Sequence, residues 1–92
     1  DKEQTINLAS IIVSQSKVQK EQMARLIKSI EVQESDKEFI KSVITCYQYL
    51  IDEGTFMIDF INTNNEESLK KYDENRQKAW ALISNLLGFE NN

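Results

Sequence analysis

The 92-residue chain has no proline and no histidine, one cysteine and two glycines. Each shortage excludes something. Proline and glycine supply the turns of sheet proteins and long loops, and both damage helix interiors. A chain almost without them is expected to consist of long helices joined by very short connections. Without histidine, the commonest general base and the commonest metal ligand are missing. A Ser–His or Cys–His nucleophilic pair therefore cannot form within the chain. Nor can the Glu-x-x-His motif of di-iron bundles.

With Cys46 alone there is no intramolecular disulfide, and cysteine usage does not fix the compartment. No glycine-rich phosphate loop occurs. The longest uncharged stretch, Gln4–Ser16, is interrupted by polar residues and falls short of the ~20 apolar residues of a membrane span. The net charge of −4 argues against general nucleic-acid binding and against adsorption to anionic membranes. No catalytic, cofactor-binding or metal residue is assigned, and no cofactor is expected.

What is present is helical periodicity. Hydrophobic residues make up 40% and charged residues 28%, a balance that suits a folded, soluble domain rather than a disordered acidic tail. The length fits a single domain over residues 1–92. A first helix is expected over about 2–32, with Leu8, Ile12, Met23, Leu26, Ile27 and Ile30 on one stripe. A second is expected over about 35–62. Ser35-Asp36-Lys37-Glu38 has the form of a capping box at its start. Ile40, Val43, Tyr47, Leu50, Met57 and Ile61 form its seam, with Ile44, Ile51 and Ile58 alongside and Phe39, Cys46 and Phe60 on the other flank. Being the most apolar, it should lie in the centre.

Gly54 falls on that seam, where it would permit close approach of a neighbouring backbone or a slight bend. A third helix is expected over about 66–87, after a cap at Asn64 or Asn65. Its stripe is Leu69, Tyr72, Arg76, Ala79, Trp80, Ile83, Leu86 and Leu87. Gly88 reads as its stop, with Phe89 available for a closing apolar contact and Glu90–Asn92 frayed. Short connections force antiparallel neighbours. The expected fold is therefore an all-α, up-down-up antiparallel three-helix bundle, open to completion by oligomerisation.

The stripes weaken at mid-height. Gln15, Ser16 and Gln19 stand where the period of helix 1 asks for apolar residues, and Arg76 stands in that of helix 3. In an antiparallel hairpin these positions fall opposite the middle of helix 2. Gln15, Gln19, Tyr47, Glu53, Tyr72 and Arg76 are thus candidates for one polar mid-bundle layer or ligand site. Three readings are open. One is a satisfied polar layer that sets register, with Arg76 bonded to Glu53 or reaching water. The second is a surface completed by another helix, from a partner or a second copy. The third is a small-ligand pocket.

Other features have plain readings. The acidic pairs Asp52-Glu53, Glu66-Glu67 and Asp73-Glu74 suit solvated helix faces, since neighbours point ~100° apart. Cys46 reads as a small buried hydrophobe. Lys17, Lys20, Arg25 and Lys28 give helix 1 a positive balance against a negative helix 2, which reads as complementarity between neighbours or a docking face for an acidic partner. Ile11, Val13 and Phe60 lie off the central stripes and mark a candidate partner contact. The expected function is a non-enzymatic helical interaction or structural module that binds a partner helix or itself. The alternative is a small-ligand-sensing bundle from the extracytoplasmic part of a bacterial receptor or lipoprotein. The start at Asp1 reads as a trimmed or mature chain or an excised domain. The sequence carries no targeting segment, and the compartment stays open between bacterial cytoplasm and extracytoplasmic space.

Overall fold

The computed structural model describes residues 1–88 and contains three α-helices: α1 (Lys2–Leu26), α2 (Glu34–Thr63) and α3 (Glu66–Leu87). They form an all-α, up-down-up bundle. Ala9 meets Gly54 while Lys20 meets Gln48, so α1 runs antiparallel to α2. Ser68 meets Asp59 while Lys71 meets Phe56, so α3 does the same. Phe89 and Glu90–Asn92, expected as a closing contact and a frayed end, lie outside the described residues.

The helix ends follow from local chemistry. Asp1 caps α1 through Oδ1, which accepts the Glu3 N–H at 2.8 Å. α1 stops at Leu26 rather than near Val32. Lys28 and Ser29 donate back to Arg25 and Leu26 in tightened turns, and Ser29 Oγ then takes the Glu31 N–H at 3.3 Å. A serine hydroxyl that competes for backbone donors in this way favours a turn over continued helix. Ile30, expected on the apolar stripe, therefore sits wholly exposed in that turn.

The capping box at Ser35 does not form. Gln33 occupies the cap position without a side-chain cap bond. Glu34 and Asp36 enter the first turn, where acidic residues suit the helix dipole, and this draws the start two residues earlier than the Ser35 cap. Asn64 ends α2 in the left-handed region, at φ 56°. Asn65 then caps α3, accepting the Glu67 N–H at 3.0 Å, and Gly88 closes it at φ 73°.

α2 lies between the other two. The backbones of α1 and α3 nowhere approach within 8 Å of each other. The molecule is consequently a flattened layer of 46 × 33 × 19 Å. Its radius of gyration is 15.1 Å, against about 12 Å for a compact domain of this length.

The contact seam of α1 differs from the expected stripe. Its buried residues are Ala9 and Ser16, flanked by half-buried Val13, Lys20 and Met23. These positions alternate four and three apart, the period of a helix seam. Small residues let the helices close up. A Cβ placed on Gly54 would lie 2.5 Å from Val13 Cγ2 and 3.4 Å from the Ala9 carbonyl oxygen. Val13, expected to mark a partner contact, is thus spent inside the α1–α2 seam. α3 repeats the device, turning Ser68 and Ala79 into α2 with half-buried Tyr72, Asn75, Leu82 and Leu86. Leu8, Ile12, Leu26, Leu69, Trp80 and Leu87, expected on inward stripes, are exposed, and Arg76 reaches water.

Polar contacts pin the two seams. Lys20 donates to Gln48, which donates to Asp52 at 2.9 Å. Ser68 donates to Asp59, and the Lys71 ammonium lies 5.5 Å from the Phe56 ring centroid. The expected charge complementarity between helices is not made by direct ion pairs. Among the described residues, every salt bridge lies within one helix, three or four positions apart. Gln48 instead relays Lys20 to Asp52.

Candidate functional site

Helical geometry gives α2 one apolar and one polar open side. Val43, Leu50, Met57 and Ile61 recur three or four residues or a heptad apart on one side. Lys41, Thr45, Gln48, Asp52, Thr55 and Asp59 share the other. Flanking helices cover α2 laterally but leave both sides open. On the apolar side, two depressions adjoin. The first, about 220 Å³, is lined by Thr5, Leu8, Ala9 and Ile12 of α1, by Glu53, Gly54 and Met57 of α2, and by Tyr72 of α3. The second, about 280 Å³, is lined by Leu50, Glu53, Arg76, Ala79, Trp80 and Ile83. Glu53 belongs to both and stands between them.

Several of the exposed apolar residues gather here, whereas Ile11 and Val18 lie on the outer face of α1. Leu8 is 64%, Ile12 49% and Trp80 59% exposed, values far from those of core side chains. Leu26 lies five whole turns from Leu8, and Leu69 and Leu87 lie three and two turns from Trp80 on its stripe. The apolar stripes of α1 and α3 therefore rim the open side of the layer. The opposite side carries Lys17, Lys20, Glu21 and Lys78 around its own depressions.

The six polar positions separate into two groups. Glu53, Tyr72 and Arg76 come together at the junction of the two depressions. Gln15 and Gln19 are exposed on the α1 rim, and Tyr47 is half-buried on α2. Arg76 pairs with Asp73 of its own helix at 3.1 Å, not with Glu53 as one reading expected. Its i,i+3 partner is simply nearer than the neighbouring helix. The guanidinium still acts on Glu53 through space. Burial pushes the Glu53 carboxyl above the usual carboxylate range, and Arg76 offsets part of that rise.

Cys46 is buried, and burial pushes its thiol up, away from a reactive thiolate. Among the described residues, no three acidic or cysteine side chains gather as a metal site. Likewise no helix there is long and apolar enough to cross a membrane.

Sequence reasoning missed the interhelical contacts of Lys20, Gln48, Ser68 and Asp59. The signal that could have found the true seams is the spacing of small residues: Ala9 to Ser16 on α1, with Gly54 on α2. Comparison with protein-family models, curated proteins and solved structures found no match to this chain.

Proposed function

We propose that this chain is a non-enzymatic helical interaction module whose open apolar side receives helices of a protein partner. One observation carries the reading: Leu8 and Ile12 of α1 and Trp80 of α3 line that side and stay exposed, while Ala9, Ser16, Ser68 and Ala79 are the residues buried against α2. Exposed apolar residues gathered on one side suit a docking site, here with Leu8 and Ile12 at one edge and Trp80 at the other, and with Gln15 and Gln19 interrupting the α1 edge. Anchors such as Trp80 and Arg76 belong to the residue types that dominate binding energy at interfaces. The test is photo-crosslinking from a probe at Ile12 or Trp80, compared with one at Lys20 or Lys78, in the protein's native host. A discrete adduct from the groove positions alone supports the reading. Equal labelling from both sides, or none from the groove, overturns it.

A second reading is a small-ligand sensor, favoured by the meeting of Glu53 and Tyr72 beside an apolar depression. It ranks lower because about 220 Å³ of open space is below the ~300 Å³ at which ligand pockets begin. A melting-temperature screen of small metabolites tests it. A rise with ligand that Glu53→Gln abolishes supports it, and an unresponsive melt rejects it.

A further inference from the structure

We infer that the occupant of the open apolar side is a second copy of this chain, so that two three-helix layers close face to face into a six-helix core. The inference rests on the docking reading above and names its partner.

Surface area is the first argument. The molecule exposes 6660 Å², whereas a compact monomer of its mass exposes about 5,500 Å². The surplus of about 1,100 Å² resembles what one subunit contributes to a dimer interface, about 800 Å² for a standard contact and more for an obligate one. A single docked helix would leave much of a face bounded by Leu8, Leu26, Leu69 and Leu87 in water.

Charge is the second argument. Each copy carries −4, so a random encounter is repulsive. The two depressions are lined by one acid, Glu53, and one base, Arg76, with Asp73 beside the guanidinium. A two-fold axis through the second depression, midway between Glu53 and Arg76, makes the contact isologous and sets each Glu53 against the other copy's Arg76. Glu53 then meets an opposite charge as water leaves, and Arg76, which keeps its Asp73 partner at 3.1 Å, lies between two carboxylates. The lysine-bearing sides point outward, where they remain hydrated.

The test uses sedimentation equilibrium together with the emission of Trp80, the sole tryptophan. At about 200 µM the chain should run at twice its 10.7 kDa mass. Dilution should shift the Trp80 emission to the red as the copies part, with helicity retained. Trp80→Glu should weaken association at least ~30-fold, the loss typical of a buried interface anchor. Ala81→Glu, which makes the same charge change on the opposite side, should leave it unchanged. Because Trp80 is already exposed, its replacement leaves the fold to be checked by circular dichroism.

A monomer at that concentration overturns the inference. So does a dimer indifferent to Trp80→Glu. A chain that stays monomeric yet forms a groove adduct with a different protein defeats only the self-pairing and leaves the docking reading standing.

Discussion

At Gly54 two effects of a methyl group oppose each other. Alanine gains ~1 kcal/mol of helix propensity over glycine. Its Cβ, however, would meet Val13 Cγ2 at 2.5 Å. Valine is stiff about χ1 and cannot swing aside cheaply, and overpacking costs roughly 1–3 kcal/mol. Gly54→Ala should therefore lose about 1 kcal/mol net, a fall of roughly 4–8 °C in melting temperature. Adding Val13→Ala should recover much of that loss, so the two changes are non-additive in a thermal cycle. Simple additivity would mean that the seam is not where Val13 and Gly54 place it.

Glu53 allows a pH test at the same scale. Burial raises its pKa in the folded state, so the folded chain holds that proton more tightly than the unfolded chain. Its ionisation thus opposes folding. The penalty is absent at low pH, grows as pH rises from the ordinary carboxyl value through the raised one, and is complete above it. In dilute protein, Glu53→Gln should melt higher than the parent near pH 7 and equal to it near about pH 3, where both side chains are neutral. A gap of the same size at both pH values would remove burial as the cause.

At the scale of the element, the caps are unequal although their sequences look alike. Asn65 accepts the Glu67 N–H, and its replacement by alanine should cost ~1 kcal/mol. Ser35 sits exposed within the first turn of α2 and caps nothing, so Ser35→Ala should lie within about 0.5 kcal/mol of the parent. Urea melts of the two variants decide this, and a larger loss at Ser35 would put the capping box back.

The helix boundaries show what a sequence pattern can carry. α3 is legible at both ends because an Asn cap and a Gly stop are local devices. The end of α1 was not legible. No glycine or proline marks it, and the decision rests on which backbone donors Ser29 captures.

For the whole molecule, the layered arrangement sets the order of local opening. α1 and α3 each pack on α2 and not on each other, so either can detach while the other stays docked. Amide hydrogen exchange should be slowest around Ile51–Gly54, where α2 is buried, and faster along α1 and α3. Equal protection across all three helices in dilute, monomeric protein would contradict an open layer.

The candidate site was half legible. Glu53, Tyr72 and Arg76 were placed together by antiparallel register alone, since short connections fix which turns lie abreast. Gln15 and Gln19 were not joined to them, because α1 meets Glu53 and Tyr72 through Leu8, Ala9 and Ile12, one to two turns before the two glutamines.

What the sequence determined by itself is the existence, number and direction of the helices, and the amphipathic stripes they carry. Those follow from turn chemistry and a period of 3.6 residues, which act within a few positions along the chain. What the tertiary structure decided is where the stripes point. Gly54, Ala9, Ser16, Ser68 and Ala79 let backbones approach closely, so small residues form the seams and Leu8, Ile12 and Trp80 are left on an open side. An apolar stripe marks a face for burial but does not say against what, because that choice depends on how closely two helices can pack.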